Sequence, residues 1–262
     1  MLRLIGTEMF KLRKRWMPYV MLLLLLATIF IPLLVRYISE DTHAETLVLE
    51  DAMISIFNSV PMLGIILVVV LAASMIGTEY GWGTLRQTLA RGTSRNNYLT
   101  SKLLSITIAV VGGILLILLV GLIANIITGM LVEGGIDWSG FASYFFASLG
   151  RTLLVLAVYI SMAVLFAILT RSFATGMAVT VAWYIGESII INLLSIGNGW
   201  LEEVTKYSIS HNTNNLLTMN MNALNQFVDT GPWWQSCAIM LAYIIIIITA
   251  TYYFFSRQDL TA

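Results

Sequence analysis

The sequence predicts an all-α membrane protein with six transmembrane helices. Of its 262 residues, 58% are hydrophobic and 11% are charged, which leaves too few polar side chains to cover a globule in water. Six apolar stretches each approach the length of about 20 residues that a helix needs to cross a bilayer. Lys and Arg residues are concentrated in alternate connections between these stretches, as expected of a chain that crosses a membrane repeatedly.

The six predicted spans cover about residues 16–35, 60–76, 103–130, 152–170, 173–196 and 236–255. The start of the second span is the least defined boundary, because that stretch is short for a bilayer. Only Arg171 and Ser172 separate the fourth span from the fifth, which predicts a tight hairpin. The sequence contains no evident internal repeat, so we treat 1–262 as a single transmembrane domain.

The distribution of basic residues predicts the orientation. Of the 14 Lys and Arg residues, all but Arg36, Arg151 and Lys206 lie at the two ends of the chain or in the connections after the second and fourth spans. Cytoplasmic connections carry the excess of basic residues in membrane proteins. Both chain ends are therefore predicted to lie in the cytoplasm.

The segment before the first span, residues 1–15, has the pattern of an amphipathic helix. Its apolar stripe, extended into the first span, consists of Leu2, Ile5, Met9, Leu12 and Trp16. Basic residues such as Arg3, Lys11 and Lys14 occupy the other face. This pattern predicts a helix in the membrane interface; the alternative is a basic flank that only sets topology.

The connection between the second and third spans predicts a short helix. Thr84 can cap its start, and Leu85 and Leu89 share one face. Gly92 can end the helix in the left-handed conformation, and Ser94 can cap the helix that follows. The result is a short element held across the membrane surface.

The basic residues of this connection have two interpretations. Arg86, Arg91, Arg95 and Lys102 could simply set topology and contact anionic lipid headgroups. Alternatively, a short helix surrounded by arginines could dock onto a partner protein. The charges alone favour the first interpretation.

The order of residues in this connection resembles the coupling-helix region of the ABC-2 type permeases. The matching residues are Glu79, Gly83, Thr84, Leu85, Arg86, Leu89, Ser94, Arg95, Tyr98 and Lys102. The sequence differs from the family pattern at Gly92 and Thr93, where many members have a proline. Further matches are Glu8, Lys11, Leu12 and Arg15 before the first span, and Arg257 and Asp259 after the last. The layout is similar to the smaller permeases of the antibiotic- and bacteriocin-resistance kind.

This resemblance implies a type V exporter-like architecture in a bacterial inner membrane, with an N-terminal interfacial helix and a cytoplasmic coupling helix. It implies that two copies of an ABC ATP-binding subunit hold ATP and Mg, and that a second permease chain, identical or homologous, completes the transporter. The residues implied in coupling to the ATPase are Glu79, Gly83, Thr84, Leu85, Arg86, Leu89, Arg91, Ser94 and Arg95.

The sequence itself agrees that ATP is handled by another chain. None of its lysines lies in a G-x-x-x-x-G-K-[ST] loop, the motif that cradles phosphates. No cofactor is therefore expected on this chain, and its zero formal net charge gives no indication of a nucleic-acid partner.

Four polar or aromatic residues inside the predicted spans are candidates for a substrate path: Glu187, Trp183, Asn192 and Asn125. Glu187 is the only carboxylate within a predicted span, and such a charge is costly unless it faces a cavity or finds a partner. Glu187 could instead lie near the outer end of its helix and bind water or a neighbouring helix. Asn125 lies in register with Gly121 and Gly129, which also fits close helix packing.

The function predicted from these observations is export of a hydrophobic or amphipathic substrate by the permease subunit of an ABC transporter. The alternative is an accessory or regulatory membrane protein without transport activity. An enzyme acting on lipid ranks last, because Glu187 has no second acid, base or nucleophile at its depth. The single cysteine and the two distant histidines predict no metal site.

Overall fold

The computed structural model describes residues 2–38, 47–131, 136–194, 205–218 and 232–258. The helices in these ranges are α1 (Leu2–Lys14), α2 (Met17–Ile38), α3 (Leu49–Gly81), α4 (Thr84–Ala90), α5 (Arg95–Leu131), α6 (Phe141–Thr170), α7 (Phe173–Leu194), α8 (Ile209–Thr218) and α9 (Trp233–Arg257). Two short strands, β1 (Leu47–Val48) and β2 (Ile136–Asp137), pair in parallel with Leu47 opposite Ile136.

Five helices in the described ranges, α3, α5, α6, α7 and α9, are each long and apolar enough to cross a membrane. The helices α1 and α2 meet the same criterion together, with a bend of 66° between them. The 22 residues of α2 would extend about 33 Å as a helix, which is close to the thickness of the hydrocarbon core. The structure thus contains five or six candidate spans, as expected of a multi-pass membrane protein.

Several helices extend well beyond the spans predicted from hydropathy. The helix α3 covers Leu49–Gly81 instead of 60–76, and α5 begins at Arg95 instead of 103. The helix α6 begins at Phe141 instead of 152, so Arg151 lies within it. Hydropathy marks only the part of a helix that suits hydrocarbon, whereas backbone hydrogen bonding continues into flanking turns with polar side chains.

The helices α3 and α6 form the centre of the bundle. In each of these two helices, 67% of an apolar 18-residue stretch is buried, against 11% for α7 and 17% for α9. The contact between α3 and α7 is very close at Gly77, where an added Cβ would lie 2.3 Å from the Phe173 Cα atom. Glycine is required there because any side chain would overlap the backbone of α7.

The hairpin between α6 and α7 has the predicted two-residue connection. Arg171 adopts φ 51°, a left-handed conformation that reverses the chain directly after Thr170. The two helices then run close together, since a Cβ on Gly176 would lie 2.6 Å from the Ala167 Cα atom.

The ends of α3, α6 and α9 meet at one end of the bundle through Gln258. Its Nε2 donates a hydrogen bond to the Ile168 carbonyl (3.0 Å), and its Oε1 accepts one from the Tyr80 hydroxyl (2.6 Å). The helices α1 and α4 and the start of α5 lie at this end as well. We call it the basic end, because it carries most of the Lys and Arg residues, and we call the opposite end, which contains α8, the far end.

Candidate functional site

The short helix α4 lies at the basic end and is anchored by its leucines. Leu85 is 2% exposed, and Leu89 packs partly buried against the same apolar core. The side chains of Arg86 and Gln87 on the opposite face are exposed. This arrangement confirms the predicted leucine face, and it leaves a polar and basic surface open to a partner.

The turns that flank α4 agree with two of the three capping predictions. Gly92 adopts φ 88° directly after the helix, and the Ser94 hydroxyl accepts a hydrogen bond from the Asn97 amide (3.3 Å) at the start of α5. The prediction that Thr84 caps α4 is wrong. Gly83, at φ 67°, occupies the cap position, so Thr84 is already helical and its hydroxyl is buried without a hydrogen-bond partner among the described residues.

Next to α4, four charged side chains and a tyrosine form a buried ion cluster, which joins α1, α3 and α5. The Lys102 ammonium group binds both carboxylates, Glu8 through a very short contact and Glu79 at 2.6 Å. The Lys11 ammonium group binds the same two carboxylates, at 2.7 Å and 3.1 Å. The Tyr98 hydroxyl donates a hydrogen bond to the second oxygen of Glu79.

Burial makes this cluster sensitive to the loss of Lys102, Glu79 or Glu8. The side chains of Lys102, Glu79 and Glu8 are 2%, 4% and 9% exposed, whereas that of Lys11 is 49% exposed. Two positive and two negative charges balance within it, and removing one partner of a buried pair typically costs about 3–5 kcal/mol. The cluster therefore fixes the relative positions of α1, α3 and α5 rather than adding much net stability.

A second set of contacts fastens α5 to the end of α9. The Arg95 guanidinium donates hydrogen bonds to the carbonyls of Ser256 and Gln258, each at 2.8 Å, and to that of Phe255 at 3.4 Å. Basic side chains commonly bind the free carbonyls at a helix C-terminus. The Tyr98 ring also stacks on the Phe255 ring, with a centroid distance of 5.8 Å.

The connections on both sides of α4 are short. Two residues separate it from α3, and four separate it from α5. On the α3 side, Arg15 donates a hydrogen bond to the Thr78 hydroxyl (3.3 Å) and lies 5.8 Å from the ring of the exposed Trp82. A force on α4 would therefore act directly on helices that the ion cluster holds together.

The residues implied in coupling fall into two groups. Arg86, Arg91 and Ser94 are exposed near or on α4, where a partner could contact them. Glu79 and Leu85 are buried, and Arg95 is used within the chain. The coupling role of all these residues stays a prediction. From their positions, Glu79, Leu85 and Arg95 would contribute to coupling by holding α4 in place.

Sequence reasoning missed the ion cluster and the exposed Trp82. Glu8 and Tyr98 were noticed only as matches to a family pattern. Lys11 was placed on the basic face of the interfacial helix, and Lys102 among the residues that set topology or contact lipid headgroups; neither was predicted to form a buried ion pair. The available signal was that Glu79 and Lys102 lie in helices whose neighbouring residues are mainly apolar. Charges in such positions require a partner of opposite sign.

At the far end, Glu187 caps α8. Its carboxylate accepts hydrogen bonds from the Ile209 amide (2.8 Å) and from the Trp183 indole (2.9 Å). Backbone N–H groups at a helix N-terminus are good partners for a carboxylate. The structure thus brings Glu187 and Trp183 together and gives the carboxylate a structural role, in line with the alternative that it binds a neighbouring helix.

Of the other two candidates for a substrate path, Asn125 bonds within its own helix instead of to this pair. Asn125 is 3% exposed, and its amide donates to the Gly121 carbonyl (2.8 Å) in its own helix. A Cβ on Gly121 would lie 2.7 Å from the Ile56 Cδ1 atom, so this part of α5 packs closely against α3. Asn192 lies in α7, but its side chain is outside the described residues.

Near α8, burial lowers the pKa of His211, and the positive charge of Lys206 lowers it further. Among the described residues, no three His, Cys, Asp or Glu side chains converge in a way that could hold a metal ion.

The apolar bundle defines a multi-pass membrane protein, with the basic helix α4 anchored at one end. The sequence model of the ABC-2 family transporter proteins matches residues 7–260, which is nearly the whole chain. The chain belongs to the ABC-2 family, as its resemblance predicted. It is a permease component of an ABC transporter, and members of this family are membrane transport components that are not themselves catalytic. Membership of the family implies a partner, an ABC ATP-binding subunit. A comparison with the curated proteins finds no match.

Proposed function

We propose that this chain is the membrane subunit of an ABC exporter, coupled through α4 to a separate subunit that binds ATP and Mg and hydrolyses the ATP. The observation that carries the proposal is the construction of α4. Its leucines are buried, its basic face is exposed, and both of its connections lead into helices held by the ion cluster. A helix that served only to set topology would need no such anchoring.

The basic end is proposed to face the cytoplasm of a bacterial cell, in its inner membrane. The excess of Lys and Arg at this end supports the orientation. In this arrangement α2 is the first of six spans, and α1 lies in the membrane interface. The 66° bend between α1 and α2 supports this layout, because a straight pair would place the charges of α1 in hydrocarbon.

The complete transporter is proposed to contain two permease chains, identical or homologous, and two ATP-binding subunits. Large apolar side chains on α7 and α9 are exposed in the single chain, among them Ile189, Ile190, Ile245 and Ile246. Such faces must be covered by lipid or by a second permease. Either arrangement is compatible with this architecture.

ATP-driven closure of the two ATP-binding subunits would displace α4. Because α4 is tied by short connections to α3 and α5, and the ion cluster joins both to α1, its displacement would act on these three helices together. Opening and closing of the bundle in this way would expose a bound substrate alternately to the two sides of the membrane.

The proposed cargo is hydrophobic or amphipathic, for example an antimicrobial peptide or a lipid-linked molecule. The support is the apolar composition of the candidate spans. The binding role of Glu187 is not needed for this proposal, since capping of α8 explains its position. Replacing it with alanine would disturb α8 whether or not the chain transports, so that variant cannot separate a transporter from an accessory protein.

The proposal predicts that Arg86→Glu abolishes ATP-dependent transport without preventing insertion. Reversing the charge at the centre of the exposed face should repel the surface of the ATPase that binds a basic helix. The measurement is ATP-dependent uptake of a fluorescent amphipathic peptide, together with ATP hydrolysis, in inside-out vesicles. Deletion of Thr84–Gly92 should have the same effect.

The matched control is Arg257→Glu, which reverses an exposed charge at the same end of the bundle but on α9. It should retain uptake. Full ATP-dependent uptake and hydrolysis in the Arg86 variant would overturn the coupling proposal. A different result would contradict only the proposed class of cargo: the wild type hydrolyses ATP, Arg86→Glu reduces that hydrolysis, and yet the wild type takes up no peptide.

A further inference from the structure

An apolar groove of about 510 Å³ opens at the basic end between α1, α2, α3 and α5. Its walls include Leu12, Met21, Leu25, Val68, Gly113 and Ile114. Its volume lies within the range of about 300–1,000 Å³ that is typical of small-molecule sites. The groove is separate from the ion cluster, which lies on the other side of α1.

The bend between α1 and α2 creates this groove. The Tyr19 hydroxyl donates a hydrogen bond to the Arg13 carbonyl (2.8 Å), which fixes the bend. On α5, the wall stays open at Gly113, because no atom lies within 4 Å of the position that a Cβ would take. The space therefore results from a defined backbone geometry and a missing side chain.

The mouth of the groove is positively charged. Arg13 lines it directly, and the Lys14 ammonium group lies 4.7 Å from the centre of the Phe10 ring, which also lines it. The one acidic residue of α1, Glu8, is buried and binds Lys102 and Lys11. It faces away from the mouth and cannot neutralise the two cations there.

We propose that this groove binds one acyl chain of an anionic phospholipid, whose net negative headgroup binds Arg13 and Lys14. An apolar opening at membrane depth is filled by hydrocarbon, because water finds no hydrogen-bond partners there. The acyl chain itself gives little preference among lipids, because it moves from one apolar environment, the bilayer, into another, the groove. The selectivity comes from the two cations, each of which contributes about 1 kcal/mol toward an anionic headgroup.

The charge dependence can be measured by native mass spectrometry of the full-length chain released from nanodiscs of equal phosphatidylglycerol and phosphatidylcholine. The wild type should retain phosphatidylglycerol preferentially. Arg13→Gln and Lys14→Gln should each reduce that preference about fivefold. Arg91→Gln, which removes an exposed charge beside α4, is the matched control and should leave it unchanged.

The groove itself is tested by Gly113→Leu, with Gly112→Leu as the matched control. Both glycines have open space at the Cβ position, but only Gly113 lines the groove. Filling it with a leucine should release the retained lipid, whereas Gly112→Leu should not. Equal retention in the two variants, equal retention of both lipids by the wild type, or occupation of the groove by a second copy of the chain would each overturn the proposal.

Discussion

Lys102 joins three helices through the contacts of a single side chain. It lies one turn after Tyr98 in α5, so that the ammonium group and the hydroxyl both reach Glu79, and the ammonium group lies 5.6 Å from the Tyr98 ring. The opposing carboxylates, Glu8 in α1 and Glu79 in α3, lie 71 positions apart in the sequence. A local sequence pattern cannot show that such residues meet.

Lys102→Met should destabilise the protein strongly, whereas Lys11→Met should have a small effect. The first change leaves two buried carboxylates without their central cation, at a cost of about 3–5 kcal/mol. The second removes a half-exposed cation, for which about 1 kcal/mol or less is expected. The measurement is the midpoint of thermal unfolding of each purified variant in detergent, followed by size-exclusion chromatography.

A compensating change distinguishes charge balance from simple packing. Combining Lys102→Met with Glu8→Gln leaves one carboxylate, Glu79, opposite the remaining Lys11. The double variant should recover part of the lost midpoint. Equal midpoints for Lys102→Met and Lys11→Met, or no recovery in the double variant, would contradict the account of a balanced buried cluster.

For single residues, sequence reasoning identified which residues need a partner or a special position better than it identified what each residue does. Glu187 was singled out as a carboxylate that needs a cavity or a partner, but its partner, the Ile209 amide, lies beyond a long connection and could not be located. Thr84 was assigned as a cap because threonine favours that position. The left-handed Gly83 takes it instead, and the choice between two adjacent residues with suitable preferences depends on backbone geometry that the sequence does not specify.

At the scale of elements, the close contact between α3 and α7 depends on Gly77. Gly77→Ala should destabilise the bundle by about 1–3 kcal/mol, because the new methyl group would overlap the Phe173 backbone and the helices would have to separate. Gly81→Ala, in the same helix, meets no atom within 4 Å and is the matched control. Its unfolding midpoint should not fall below that of the wild type.

The same comparison of unfolding midpoints decides the outcome for Gly77. A midpoint for Gly77→Ala equal to that of Gly81→Ala would show that α3 and α7 can move apart without cost. That result would contradict close packing at this position.

The existence of the helices was predictable, but their lengths were not. Hydropathy located five of the apolar segments that the structure places in long helices, since burial in lipid requires continuous apolar sequence. It placed the start of α6 at 152, eleven residues after Phe141, because the charged Arg151 directly precedes that position. The glycine signal at Gly92 and the serine signal at Ser94 were reliable, since each reflects a local backbone requirement.

For the whole molecule, the family could be recognised from the order of residues around α4, and the match over residues 7–260 confirms it. The arrangement of helices around that segment could not be derived in this way, because it depends on contacts between distant parts of the chain. We propose that α4 is a docking element whose movement is transmitted by the buried ion cluster. This proposal requires a physical contact between α4 and an ATP-binding subunit.

The most direct test is affinity purification of the chain from its native membrane in mild detergent, with quantitative mass spectrometry of the proteins that copurify. We expect an ATPase with Walker motifs in equal amount with the wild type and with Arg257→Glu, and much less with the double variant Arg86→Glu, Arg91→Glu. Absence of such an ATPase from the wild-type sample, or its equal recovery with the double variant, would contradict the claim that α4 is the docking element.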